Sequence, residues 1–466
     1  MLTYELTKRP GMPLYESLYR CIRQDIRSGR LAPGEKLPSK RNLAANLKVS
    51  KITVESAYNQ LLAEGYIRAE EKVGYFVEAV EQMLPAPEPQ RETQNLREEW
   101  IDLTANNPVK FPFSVWSRLH RQVLMDLGHN LLQPVPNQGL PELRRAISRH
   151  LAQFRGMQVH PQQIFIGAGT DFLYNLLIQL LGREKCYAVE EPGYGKIRRI
   201  YAAAGAGCVA AAVDEQGVCP DSLAGADVLH ISPSHHFPTG LVTPLSRRQE
   251  LLAWAKASPE RWIIEDDYDS EFRFSSRPLP TMQALDGSRV IYMNTFSKTL
   301  APSIRISYMV LPVQLMETLQ RKLGFYSCTV PSFEQHTLAR FLDEGYFEKH
   351  INRMRKFYKS RRNRILAAIA ACPMAQKLSI LEENAGLHFL VRVQSDMTDG
   401  ELEDTCRGMG IRVRCLSSYY AEAVPAWAER CLVVNYSGLT DEQLVHLDEI
   451  LRQLPFGNES GVLEEK

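Results

Sequence analysis

Leu14, Leu18, Ile22 and Ile26 recur at every fourth position, the spacing that lines apolar side chains along one face of an α-helix. Pro13 stands where such a helix can begin and Gly29 where it can end, because proline suits the first helical turn and glycine the left-handed exit. The same grammar predicts a second helix over SKRNLAANL (39–47) and a third over SKITVESAYNQLLAEG (50–65). Ser50 is placed to cap the third helix, and Val54, Ala57, Tyr58, Leu61 and Leu62 form its buried stripe. Two helices joined by so short a turn as LKVS are a helix-turn-helix pattern. The following YIRAEEKVGYFVEAV (66–80) reads as a hairpin wing with Lys72 and Gly74 at its tip.

The pattern then changes. AVEQMLPAPEPQRETQNLREE (79–99) places three prolines within positions 85–89 and has almost no apolar period, which is the composition of a linker. It divides a first domain, 1–78, from a second, 100–466. In the second, short apolar runs alternate with helical stretches: IFI (164–166), YAV (187–189), VLHI (228–231), WII (262–264), VIYM (290–293) and YMVLP (308–312). That alternation predicts an α/β domain with a parallel sheet. Beyond about position 315 helices dominate, and LHFLVRV (387–393), IRVRCL (411–416) and CLVVNY (431–436) predict a smaller α+β part at the end.

Length and charge sharpen this picture. A chain of 466 residues exceeds what one core usually holds. Its net charge is only +1, yet from Lys36 to Val54 there are five basic residues and no acidic one. That stretch covers the helix-turn-helix, so Lys51, Thr53, Glu55 and Ser56 are expected to face base edges of double-stranded DNA, with Lys40 and Arg41 on phosphates. Nine cysteines without a C-x-x-C pair, and no histidine at ligand spacing, predict reduced thiols and no metal site. No apolar run reaches membrane length and the first residues lack a signal peptide's apolar core, so a cytoplasmic protein is expected.

TFSKTLAPSIR (295–305) carries the chemistry. Lys298 lies just past an apolar strand, on the side where open α/β sheets bind ligands, and a lysine there can form a Schiff base with pyridoxal phosphate. Such a site needs a carboxylate for the pyridine nitrogen, hydroxyls and a guanidinium for the phosphate, and an aromatic face for the ring. Asp266 and Tyr268 follow WII, Thr295 and Ser297 flank the lysine, and Arg305 follows it by seven residues. IFIGAGTD supplies a Gly-rich turn into a helix N-terminus suited to an anion, with Thr170 there. VEEPGYG offers Tyr194 as the stacking aromatic.

The stretch LPSKRNLAANLKVSKITVESAYNQLLAEGYI resembles the GntR-type winged helix, from about Met12 to Val77, and by that resemblance Arg41, Ser50, Lys51 and Thr53 fall at DNA-contacting positions. From about Ile101 to Pro455 the chain resembles the fold-type I aminotransferases. Together, through PSHHFPTG, IIEDDYDSEF and TFSKTLAPSIR, nearly all of it resembles the MocR-type regulators, among them the pyridoxal-phosphate-sensing (PdxR-like) kind. The resemblance implies a homodimer that binds an operator and senses pyridoxal phosphate, or an amino compound through it. It places Lys298 as the Schiff-base lysine, Asp266 on the ring nitrogen, Tyr268 near the ring oxygen and Tyr194 on the ring face. Thr170, Thr295, Ser297 and Arg305 fall at phosphate positions. Three positions depart from the aminotransferase pattern: Phe237 replaces an asparagine at the ring oxygen, Asp171 stands among the phosphate contacts where relatives carry glutamine, and Val433 replaces the arginine that holds a substrate carboxylate. Physiological transamination is therefore not the expected task. The alternative readings are a working aminotransferase with an appended DNA-binding domain, and a regulator whose pocket takes a different ligand.

Overall fold

The computed structural model describes residues 4, 6, 13–71, 73–79, 101–105, 110–272, 274, 279–384 and 386–452; Lys72 and most of the expected linker lie outside them. The chain divides into two compact units, Met1–Asn95 and Leu96–Lys466.

The first unit contains α1 (Leu14–Arg27), β1 (Lys36–Leu37), α2 (Lys40–Leu47), α3 (Lys51–Ala63), β2 (Ile67–Glu70) and β3 (Gly74–Val77). Leu18, Ile22 and Ile26 of α1 meet Val54, Ala57, Tyr58 and Leu61 of α3 in one apolar core, with Leu62 only partly buried at its margin. Fully burying each of the valine, leucine and isoleucine side chains contributes about 1.5–3 kcal/mol. Ser39 and Ser50 cap α2 and α3 by accepting from the amides of Asn42 and Thr53 at 3.2 and 3.1 Å, and Lys48, at φ 52°, reverses the chain between them. The strands form an antiparallel sheet in the order β1-β3-β2, so the expected wing is present.

In the second unit β4 (Ile101–Asp102), α4 (Phe113–Leu127) and α5 (Pro141–Arg155) precede β5 (Ile164–Gly167) and α6 (Thr170–Leu181). Then come β6 (Cys186–Glu191), α7 (Gly195–Ala203), β7 (Gly207–Asp214), β8 (Gly217–Val218), β9 (Val228–Ile231), α8 (Leu245–Lys256) and β10 (Trp262–Asp266). Short helices α9 (Met282–Leu285) and α10 (Phe296–Thr299) bracket β11 (Val290–Thr295), and β12 (Ser307–Val310) closes the series. The eight strands run β5-β12-β11-β10-β9-β6-β7-β8. The sheet is mixed rather than parallel throughout: β12 is antiparallel to both β11 and β5, and β8 to β7. An apolar run signals burial on both faces but carries no direction.

After α11 (Val313–Leu323), α12 (Ser332–Asp343) and α13 (Tyr346–Ala371), a smaller sheet of β13 (Leu378–Leu381), β14 (His388–Val393), β16 (Arg414–Cys415) and β17 (Cys431–Asn435) packs with α14 (Asp399–Gly408) and α15 (Asp441–Leu451). The run IRVRCL is not one strand. β15 (Ile411–Arg412) pairs with β4, whereas β16 pairs with β17.

Candidate cofactor cavity and DNA-reading helix

At the carboxyl ends of β5, β6, β9, β10 and β11 lies a cavity of about 420 Å³. All nine cofactor residues expected from the sequence line it: Thr170, Asp171, Tyr194, Asp266, Tyr268, Thr295, Ser297, Lys298 and Arg305.

One end is built for an anion. Gly169, at φ 89°, turns β5 into α6, and no side chain caps that helix, so its first amides point outward with the positive end of the helix dipole. Arg305 lies against the same turn, donating from Nη2 to the Ala168 carbonyl at 3.1 Å. A Cβ on Gly169 would fall 2.4 Å from that Nη2, which makes the glycine a condition of the arginine's position. Arg305 itself sits at φ 51°, a left-handed conformation that costs a non-glycine residue energy and recurs at ligand clamps. Asp171 does not simply oppose an anion here. Its carboxylate is held by Lys196 Nζ at 2.6 Å, with Arg305 Nη2 at 3.8 Å, so its charge is neutralised to one side.

The other end is carboxylate chemistry. Tyr174 Oη donates to Asp266 Oδ2, and His230 Nε2 stands 3.7 Å from the same oxygen. His230 is in turn fixed through Nδ1 to Tyr201 Oη at 2.6 Å. Asp266 Oδ1 and Ser297 Oγ are buried without a hydrogen-bond partner, and an orphaned buried acceptor beside a cavity is a place for a ligand donor. Burial lowers the Lys298 ammonium to about 8, partly offset by Asp269 and Asp266. Burial and the carboxylates of Asp269 and Asp266 push the Tyr268 phenol well above its ordinary value, so it remains a donor. Thr295 also caps a helix: its Oγ1 accepts from the Ser297 amide at 3.2 Å and from Ser307 Oγ at 2.7 Å, closing the N-terminus of α10 and thereby setting Ser297 and Lys298.

Sequence reasoning missed Glu190, Tyr174, His230, Ser232, Lys196 and Asn435, all of which line the cavity. Burial raises the Glu190 carboxyl to about 8, and its Oε2 accepts from the Ser232 amide at 3.0 Å. The apolar wall is Phe237, edge-on to Tyr194 and Tyr419 with ring centres 6.1 and 5.2 Å away. Val433 is buried with Leu390, Leu416, Ala428 and Cys431, against Phe237. Among the described residues the cavity wall holds one arginine, Arg305. Arg412, Arg414 and Arg430 pair instead with Asp102, Glu403 and Glu429 at 3.8, 2.9 and 3.4 Å.

In the first unit, Arg41, Ser50 and Lys51 are exposed and Thr53 is half-buried. Ser50 and Thr53 bind each other, Oγ to Oγ1 at 2.8 Å. Lys40 is engaged inside the unit, donating to Glu55 Oε1 at 2.7 Å and lying over the Tyr75 ring at 5.4 Å, which leaves Arg41 as the outward cation of that turn. Gly74 opens β3 at φ 143°, and a Cβ there would fall 3.0 Å from Lys36 Cε.

Residues 14–77 match the model of the bacterial regulatory proteins of the gntR family. Over 454 residues the chain is 36% identical to an uncharacterized HTH-type transcriptional regulator, YdeL, of Bacillus subtilis, covering 95% of this chain and 97% of that one. It is 31% identical to the probable rhizopine catabolism regulatory protein MocR of Rhizobium meliloti, over 93% and 92% of the two chains. With the HTH-type pyridoxine biosynthesis transcriptional regulator PdxR of Corynebacterium glutamicum the identity is 32%, over 86% and 87%. Among solved structures, an archaeal alanine:glyoxylate aminotransferase superposes with a TM-score of 0.66 at 22% identity, covering 76% of this chain and 91% of that one, a likeness of fold. No described helix is long and apolar enough to cross a membrane.

Proposed function

The chain belongs to the MocR-type transcriptional regulators of the GntR family, and on that footing we propose that it reads operator DNA through α3 and its wing while holding pyridoxal 5'-phosphate around Lys298. The residues present fit such a group: an uncapped helix, Ser297 and Arg305 for its phosphate, the orphaned Asp266 Oδ1 for its ring nitrogen, and Lys298 for its aldehyde. Bound there, the group supplies a conjugated electron sink joined to the lysine. Asp266 holds the nitrogen's proton, Tyr268 donates to the ring oxygen, Tyr194 covers a ring face and Lys196 keeps Asp171 turned from the phosphate. The regulator is read as a homodimer, since paired recognition helices meet half-sites about one helical turn apart.

The observation that carries the sensing role over transamination is position 433. An amino-acid substrate brings a carboxylate, whose burial without a partner costs several kcal/mol, and Val433 sits in an apolar cluster while, among the described residues, Arg305 is the one arginine that lines the cavity. The cofactor itself is then the effector, and it must bind one arrangement of the regulator better than another, because equal affinity shifts no equilibrium.

The test compares operator affinity of the apo protein, the pyridoxal-phosphate-loaded protein, and the loaded protein with alanine or ethanolamine added, using DNA enriched from a random duplex pool. Apo and loaded forms should differ and the added amines should change little. If apo and loaded forms bind alike and an amine alters affinity, the effector is the amine. Sustained turnover of alanine with an oxo acid would favour the aminotransferase reading.

A further inference from the structure

The outward face of α3 holds a residue that the helix does not need. Ile52 is 73% exposed, and it lies opposite the stripe of Val54, Ala57, Tyr58 and Leu61 that holds the helix to its core. A single exposed isoleucine is ordinary on a protein surface, but this one stands in the first turn of the second helix of a helix-turn-helix, between Lys51 and Thr53, on the face that enters the major groove. Its neighbours have limited freedom to read bases. The hydroxyls of Ser50 and Thr53 are joined at 2.8 Å, and the Ser50 oxygen also caps the Thr53 amide at 3.1 Å. The Glu55 carboxylate, one turn on, is held by Lys40 at 2.7 Å.

We infer that Ile52 is a specificity-determining residue that reads the 5-methyl group of a thymine in each operator half-site. The reasoning is one of chemical elimination. A branched hydrocarbon cannot hydrogen-bond a base edge, and the thymine methyl is the one apolar feature that a base pair presents in the major groove. Any other base opposite Ile52 would lose water from its donors and acceptors and gain no partner in return. The exposed Arg41 supplies phosphate attraction that is indifferent to sequence, and Lys51 beside Ile52 can pair only with acceptor atoms, so contact with an apolar methyl falls to the isoleucine. The inference rests on the winged helix being the DNA-reading unit.

The experiment uses the full chain, in whichever cofactor state binds more tightly, and duplex DNA enriched from a random-sequence pool. Each thymine of the enriched site is replaced singly by deoxyuridine, which lacks only the methyl. At one thymine per half-site the wild type should bind about four-fold more weakly, the effect of one methyl group withdrawn from apolar contact. Ile52→Ala should bind the thymine and deoxyuridine duplexes alike, and Ile52→Val should retain most of the discrimination. The salt dependence of Ile52→Ala should match the wild type, since no charge is lost. Because Ile52 is outside the core, thermal unfolding of both variants should be unchanged, which separates misfolding from lost recognition. Equal discrimination by wild type and Ile52→Ala, or no sensitive thymine, would overturn the inference while leaving DNA binding intact. Failure to enrich any sequence would overturn both.

Discussion

The two functional regions deploy their side chains in opposite ways. On α3 and α2 the groups proposed to meet DNA stand in water: Arg41, Lys51 and Ile52 are exposed, and the polar groups around them are tied to one another. Around Lys298 the working groups sit at strand ends, and two of them, Asp266 and Ser297, keep a buried atom without a partner. DNA brings its own charges, spread along a strand, and tolerates flexible cations that find them. A small ligand gives only a few contacts, so its site must be held in shape beforehand. The same chain therefore encloses its working groups in one unit and sets them out in solvent in the other.

The sharpest way to break this contrast is to unmake the rigid site at one atom. Lys298→Ala should abolish the visible absorption that pyridoxal phosphate gives with the wild type, leaving DNA-binding residues untouched. Gly169→Ala tests the shape alone, because it removes no functional group. The added Cβ must displace Arg305, and losing one charge-assisted hydrogen bond of about 1.5–3 kcal/mol should weaken cofactor binding roughly ten- to hundred-fold, as Arg305→Ala should. Wild-type affinity in Gly169→Ala would show that the cradle has been misread.

A smaller effect concerns the rate of attachment. The attacking form of Lys298 is the neutral amine, and its ammonium is lowered to about 8. The rate followed by stopped-flow absorbance should therefore rise about ten-fold from pH 7 to pH 9 and flatten above, as the neutral fraction fills. Asp269 raises that value, so Asp269→Asn should move the midpoint to lower pH. A midpoint that stays or rises would remove Asp269 from the lysine's surroundings.

The mildest effects belong to the exposed region. Arg41→Ala and Lys51→Ala should each weaken operator binding modestly and lower the salt slope by about 0.9, with the cofactor absorbance unchanged in titration. A spectral change in either would mean that the two regions are not separable by single surface substitutions.

Much of this was legible in the sequence because the residues concerned follow apolar runs. Asp266 and Lys298 are found by walking off the ends of WII and VIYM, and Arg305 by asking what could face a phosphate next. The partners that tune them were not. Tyr174 and His230 reach Asp266 from 92 and 36 positions away in the chain, and nothing local marks a tyrosine inside an apolar helix as a carboxylate's donor. β7 escaped notice because GCVAAAVD has alternating burial but little bulk. The reversal of β12 was also invisible, since Ser307–Val310 reads the same in either direction. Val433 was the opposite case: a missing arginine in CLVVNY was evident from the resemblance, and its place in an apolar cluster agrees with it.

That reversed strand has a consequence for heredity. Because β12 runs back against β11, the segment between them must leave and re-enter the sheet at one end, and the Phe296 amide closes it by donating to the Ile306 carbonyl at 2.9 Å. Lys298 and Arg305 both lie inside this closed loop, so the distance between them is fixed by an integer count of residues. Single-base substitutions in the corresponding codons can be sampled one at a time, but a gained or lost codon would shift one group against the other and spoil both. Across descendants of this gene the interval should be more faithfully kept than the letters that fill it.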